Sequence, residues 1–146
     1  MTTPLSPHDE AARRLTALDQ RYTRSRRALV EALAAAGRPL TIVEVLGSAP
    51  SMPMSSAYRN MTVLIEAAVV RRVTGTDDHG RFELTEDLSE HHHHLVCDRC
   101  GKVADITASL PLERALSEAA RLAAKESGYR VDQHRFDFLG TCPDCT

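Results

Sequence analysis

No stretch of this sequence approaches the ~18 consecutive apolar residues that a membrane span needs. The segment MTTPLSPHDE has no basic cluster leading into an apolar run, so no secretory signal is expected. A cytoplasmic location without a membrane partner is the expectation. Excess basic charge is also missing. The 18 Lys and Arg stand against 20 Asp and Glu, a formal −2, which alone argues against a nucleic-acid binder. No internal repeat is visible, and the one low-complexity tract is the four histidines 91–94. Cysteine is absent before position 97 and lysine before position 102.

The distribution of charge says more than its sum. Residues 1–85 carry 11 basic residues, all arginine, against 9 acidic ones; residues 86–146 carry 7 against 11. Arginine is the side chain that forks onto phosphate and guanine. With 42% hydrophobic and 26% charged residues the chain is globular rather than disordered. Its 146 residues allow one ordinary domain or two small ones, with a division expected between 85 and 86.

Apolar spacing gives the elements. Residues 1–20 read as a frayed or helical arm. Leu29, Ala32, Leu33 and Ala36 place a helix from about Ser25 to Ala36, stopped by Gly37. Thr41 and Glu44 form a capping-box pattern for a short second helix. A loop with two prolines follows, and Ser55 or Ser56 is expected to cap a third helix reaching about Ala68. Strands are expected at Val69–Thr74 and Arg81–Thr85 around a polar turn. Three helices and then a β-hairpin is the winged-helix order. Further on, strands are expected at His93–Cys97 and Val103–Ile106, a helix from about Pro111 to Ser127, and strands at Tyr129–Val131 and Arg135–Leu139. The fold class is thus α+β: an N-terminal winged helix-turn-helix followed by a small α/β dimerisation domain. About 60 residues bury too little surface to be comfortable alone, and a metal staple and a dimer partner would both compensate.

The four cysteines form two pairs, Cys97-x-x-Cys100 and Cys142-x-x-Cys145. In a cytoplasmic chain such pairs read as a metal site before they read as disulfides. Four thiolates make a closed, tetrahedral, structural Zn2+ site. The alternatives are free cysteine pairs or a redox motif.

His91, His92, His93 and His94 directly precede the first cysteine pair. In an extended segment His91 and His93 point one way and His92 and His94 the other, so one strand could feed two metal sites. Glu83, Asp105, Glu113 and His134 are the candidate further ligands; Glu83 alternates away from Phe82 and Leu84, onto the polar side of its strand. With the cysteines committed to zinc, a nitrogen–oxygen site remains, which suits Fe2+, Mn2+, Ni2+ or Zn2+.

From Ser56 onward the chain resembles the ferric uptake regulator superfamily. The pieces that carry the resemblance are Tyr58-Arg59-Asn60 with Leu64, Val70-Arg71-Arg72-Val73, Arg81-Phe82-Glu83-Leu84, the run from His91 to Val103, Gly128-Tyr129-x-Val131, His134, and Gly140-x-Cys142-Pro143-x-Cys145. Tyr22-Thr23-Arg24-Ser25-Arg26 resembles the family's first-helix signature. The resemblance implies a homodimeric, metal-dependent repressor of iron or zinc homeostasis genes, binding double-stranded palindromic DNA. It implies structural zinc on Cys97, Cys100, Cys142 and Cys145. It implies a regulatory site of Glu83, His92, His94 and Asp105 near the domain hinge, and a further site of His91, His93, Glu113 and His134. Tyr58 and Arg59 fall on the recognition helix with Ser55 and Thr62, and Arg13, Arg14, Arg26, Arg72 and Arg81 are the expected backbone or minor-groove contacts.

Three departures stand out. Relatives often supply a hinge histidine before the second helix, where this chain has Gly37-Arg38-Pro39-Leu40-Thr41; recruitment of His79 or His8 is one expectation, a four-coordinate site through Asp105 the other. Glu118 rivals Glu113. His93 stands where many iron-type members have Asp. The regulatory metal is expected to be Fe2+ or Zn2+, with Mn2+ or Ni2+ as alternatives. A peroxide-sensing member of the same superfamily and a His-rich metalloenzyme are the rival readings.

Overall fold

The computed structural model describes residues 5–146; the part of the expected N-terminal arm that falls on residues 1–4 lies outside the described residues. Helix α1, Pro7–Thr16, begins where Ser6 caps the main-chain N–H of Asp9, and it buries Ala11 and Leu15. Helix α2, Arg24–Ala36, starts one residue earlier than its apolar spacing suggests, because Thr23 supplies the cap. Gly37 closes it in the left-handed region at φ 64°, which glycine adopts without a steric penalty. Strand β1, Leu40–Thr41, was not expected. Helix α3, Ile42–Ser48, carries the anticipated capping box, Thr41 and Glu44 each bonding the other's main chain.

Helix α4, Met54–Glu66, corrects the expected cap. Pro53 occupies the N-cap position and no side chain caps the helix, so Ser55 and Ser56 lie inside the first turn. Proline's fixed φ and missing N–H suit a helix entrance. Strands β2, Val70–Thr74, and β3, Gly80–Leu84, form the hairpin, and β1 joins it to give the antiparallel order β1-β3-β2. Leu15, Leu29, Val30, Val45, Met61, Leu64 and Val70 are all but inaccessible at the centre of this half.

A single 3-10 turn, Glu86–Leu88, leads into the second half. There β4, His93–Cys97, pairs antiparallel with β5, Val103–Ile106, and parallel with β6, Asp137–Gly140. Helix α5, Leu110–Ser127, opens on the Ser109 cap and closes on Gly128 at φ 76°. Tyr129–Val131, expected as a strand, is irregular, and the last strand begins at Asp137 rather than Arg135. Alternation marked an extended backbone, but pairing partners exist only farther along.

The second half has almost no core of its own. Its buried apolar cluster is Val96 and Val103 with Val73, and Val73 comes from β2. No residue of α5 is buried, and Leu110, Tyr129 and Leu139 are at least 70% exposed. The wing hairpin therefore packs on both faces. Phe82 and Leu84 enter the N-terminal core, while Arg81 and Glu83 are buried at 5% exposure toward the second half. Glu83 does lie on the polar side of its strand, but that side is covered. Among the described residues no helix is long and apolar enough to cross a membrane.

Candidate metal centres and nucleic-acid face

Among the described residues three donor clusters form, one from the paired cysteines and two from the alternating histidines. In each, one ligand atom per residue lies within 4.8 Å of all the others.

The first is Cys97, Cys100, Cys142 and Cys145, none of them in a disulfide. Gly101, at φ 76°, completes the turn of the first pair, and its N–H donates to the Cys97 carbonyl. Parallel pairing of Cys97 with Gly140 brings the second pair alongside. The Cys100 and Cys142 sulfurs are 3.7 Å apart, and thiolates about 2.3 Å from a tetrahedral ion stand roughly 3.8 Å apart. The cluster is electrostatically divided. Main-chain N–H groups of Cys142 and Cys100 pull the Cys97 thiol down to about 6. Hydrogen bonds with the Cys142 and Cys100 sulfurs push Cys145 up to about 12. One thiolate forms readily and opposes the next, which a divalent cation relieves.

The second cluster, Glu83, His92, His94 and Asp105, spans the two halves. Glu83 is on the wing strand, and His94 faces Asp105 across the β4–β5 pair. The Glu83 Oε2 atom lies 2.9 Å from His92 Nε2 and 3.1 Å from His94 Nε2. Asp105 Oδ1 lies 3.7 and 3.6 Å from the same two nitrogens. His92 Nδ1 donates to the Glu90 carbonyl at 2.8 Å, so Nε2 donates to Glu83 when the ring is charged and offers its lone pair to a cation when the ring is neutral. Asp105 Oδ1 is buried with no hydrogen-bond partner. Acceptors gathered around one point call for a cation. Burial raises the Glu83 carboxyl, but hydrogen bonds from His94 and His92 and the charges of His94 and Arg71 overcome it and hold it at about 2. Burial and the nearby Glu83 charge push Asp105 up. This donor set fits a divalent transition metal.

The third cluster surrounds Glu113, on the first turn of α5. His93 Nε2 is 2.6 Å and His91 Nε2 3.2 Å from Oε1, and His134 Nε2 is 3.0 Å from Oε2. The hydrogen bond from His93 is the main reason the Glu113 carboxyl sits low. Glu118 pairs instead with Arg121 and joins no cluster.

Among the described residues neither His8 nor His79 supplies the missing hinge histidine. His8 bonds Tyr22 Oη and Glu31, and the His79 carbonyl accepts from Arg81; neither joins a cluster. Sequence reasoning missed the groups that orient the ligands. Arg71 donates to Glu83 Oε1 at 2.7 Å, Glu86 bonds His91 Nδ1, and Asp137 lies 3.5 Å from His94 Nδ1. Such partners fix which ring nitrogen meets a metal. Arg71 was legible in principle, since it faces Glu83 across the hairpin.

The arginines divide. Tyr58 is half exposed on α4, with Arg59 open beside it, and Thr62 donates to the Tyr58 carbonyl. Arg26 donates to Asn60 of α4 and to the Arg21 carbonyl, bracing the helix. Arg13 is an exposed partner of Glu10, and Arg72 is exposed on the wing. Arg14 and Arg81 depart from the expected DNA contacts. Arg14 is spent on Glu10, Asp87 and the Ala68 carbonyl. Arg81 is buried in a two-bond pair with Asp77 at 2.6 and 2.9 Å. Internal carboxylates have claimed both guanidinium groups.

The ferric uptake regulator family model matches residues 17–139. The chain is 30% identical to the transcriptional regulator FurA of Mycobacterium tuberculosis, covering 97% of this chain and 94% of that protein. It is 31% identical to the peroxide operon regulator of Bacillus subtilis over 68% of this chain, which is 63% of that protein's length. The Helicobacter pylori ferric uptake regulator, whose structure is described as revealing three functional metal binding sites, superposes with a TM-score of 0.74 at 20% identity, covering 99% of this chain and 97% of that one. The Vibrio cholerae regulator gives 0.68 at 24% identity, covering 88% and 96%. Family model and full-length likeness agree: this chain belongs to the ferric uptake regulator family of metal-responsive transcriptional regulators.

Proposed function

We propose that the chain is a cytoplasmic, non-enzymatic repressor whose affinity for a palindromic operator rises when the Glu83–His92–His94–Asp105 cluster takes up a divalent metal. One observation carries this reading: a donor from the wing strand and three donors from the second half converge on one point. A cation held there restrains the angle between residues 1–85, which read DNA, and residues 86–146, which dimerise. A ligand shifts a conformational population only by its differential affinity, and a site built from both halves supplies that difference. In a homodimer the two α4 helices then address successive major grooves, about 34 Å apart. Tyr58 and Arg59, with Ser55 and Thr62, face the bases, while Arg13 and Arg72 meet phosphate and Arg26 braces α4. The exposed apolar residues of α5 and β6 supply the surface a second copy covers.

Zn2+ on the four cysteines staples the second half. The regulatory ion is Fe2+ or Zn2+, with Mn2+ and Ni2+ compatible with the same donors. The Glu113 cluster supplies a further site, giving three clusters, the number of functional sites described for the H. pylori protein. The test is operator binding followed by fluorescence anisotropy with metal supplied and chelated. Affinity rises with metal; equal binding of both forms refutes the switch.

A peroxide-sensing role is the second reading, favoured by the likeness to the B. subtilis peroxide operon regulator. Iron held by histidines and carboxylates can direct peroxide oxidation onto a ligand histidine. Mass spectrometry of the peptide bearing His92 and His94, after Fe2+ and peroxide, separates the two: an added oxygen atom supports sensing, and an unmodified peptide rejects it.

A further inference from the structure

Glu83 is the sole donor of its cluster that the N-terminal half provides, and its two oxygens are used differently. Oε2 faces both imidazoles of the cluster. Oε1 accepts a hydrogen bond from Arg71 Nε at 2.7 Å and lies 2.6 Å from Nη2 of the same guanidinium. Arg71 and Glu83 are direct partners in the antiparallel β2–β3 register, so the backbone itself holds the pair together. The Glu83 side chain is only 7% exposed, which leaves its carboxylate little room to turn.

We propose that Arg71 is a positioning residue for the hinge metal, holding Glu83 so that it offers the ion one oxygen and not two. The proposal rests on the reading of that cluster as a metal site. A cation chelated by both carboxylate oxygens would lie close to Oε1. There it would meet the guanidinium charge and compete with the charge-assisted hydrogen bond from Arg71 Nε. A cation bound through Oε2 alone avoids both. Counting one atom per residue, the protein then presents two imidazole nitrogens, Glu83 Oε2 and Asp105 Oδ1. Gly37 and Arg38 line the cleft beside Glu83, His92 and Asp105, and neither brings it a further metal donor. Four mixed nitrogen and oxygen donors suit the tetrahedral preference of Zn2+. They suit less well Mn2+, which prefers six oxygen-rich positions. Arg71 thus determines selectivity without touching the ion.

The test uses Co2+ as a reporter of coordination number, because tetrahedral Co2+ absorbs far more strongly in the visible than five- or six-coordinate Co2+. The full-length chain is first loaded with Zn2+ to fill the cysteine cluster, and the hinge contribution is isolated as the difference between the chain and its His92→Ala variant. Arg71→Met is expected to weaken the hinge Co2+ bands and to lower the preference for Zn2+ over Mn2+ in competition titrations by about tenfold, the lower end of what outer-sphere substitutions cost. Arg71→Lys, which keeps a cation at Oε1, restores both in part. If Arg71→Met does not fold, Arg71→Gln carries the same expectation. An Arg that only braced the hairpin would change thermal stability and weaken both metals equally, leaving the Co2+ spectrum as it was; that outcome overturns the proposal. If His92→Ala and Glu83→Ala bind Co2+ as the unsubstituted chain does, the hinge reading itself fails, and the two failures are told apart.

Discussion

The hydroxyl of Thr76, in the wing turn, donates a 2.5 Å hydrogen bond to the main-chain carbonyl of Cys97. The β2–β3 hairpin is thereby tied to the first residue of the cysteine knuckle. Val73 of the wing packs with Val96 and Val103, and the Asp77 carboxylate sits against Gly101, where a Cβ would collide with it. Wing and knuckle form one contact surface.

Thr76→Val removes the hydroxyl while keeping the side chain's bulk. A loss of about 1 kcal/mol is expected, the ordinary net worth of one hydrogen bond. Hydrogen exchange across residues 74–79 should accelerate, and unchanged exchange would show that the tie carries no weight. Gly101→Ala is the harsher variant. It combines the collision with Asp77 and a left-handed φ of 76°, a backbone region costing a non-glycine residue about 1–2 kcal/mol.

Cys97→Ser removes the thiol that main-chain N–H groups hold at about 6. Because this half buries so little apolar surface of its own, loss of its staple should unfold it. Elemental analysis is expected to show one zinc fewer per chain, and circular dichroism the loss of strand and helix signal beyond residue 92. A fully folded, zinc-free variant would argue against a structural site.

The two histidine clusters should titrate separately. His92→Ala is expected to lose one ion per chain and the metal response of operator binding. His93→Ala should lose a different ion, with the Glu83 cluster still loaded. Metal counting by mass spectrometry under native conditions checks this; a single substitution that empties both clusters would mean they are one site.

Acid should act oppositely on the metal-free and metal-loaded forms. Burial opposes protonation of His92, but the Glu90 carbonyl and Glu83 outweigh it and raise the ring above its ordinary 6.5. Its contribution to metal-free stability is therefore complete below 6.5 and is lost as pH rises through the raised value. Glu83, lowered from 4.5 to about 2, contributes above 4.5 and ceases to as pH falls through about 2. Metal capture needs neutral imidazole, so loading releases protons and weakens in acid. The rise in Tm that a saturating metal produces should thus grow from pH 5.5 to 7.5, on a scale set by proton competition at about one His pKa. A Tm rise independent of pH would exclude His92 as a ligand.

Much of this was legible along the chain. Thr41 and Glu44 announced their capping box, Gly37 and Gly128 their helix stops, and the histidine run its two-faced alternation, because each depends on neighbours a few residues away. The cap of α4 was not, since Pro53 does with backbone geometry what a serine would do with a side chain. The parallel pairing of β4 with β6 joins segments some forty residues apart, for which no local pattern exists.

Residue types and spacings by themselves determined which donors this protein owns: four thiols in two tight turns, and histidines that an extended backbone must send to opposite faces. Only the tertiary structure decided which donors share a point, that Glu118 stays outside, and that Arg14 and Arg81 pair with internal carboxylates. The reason is physical. Alternation follows from covalent geometry and acts over two residues, whereas the partner of a buried charge is chosen by whatever distant segment the packed core brings within a few ångströms.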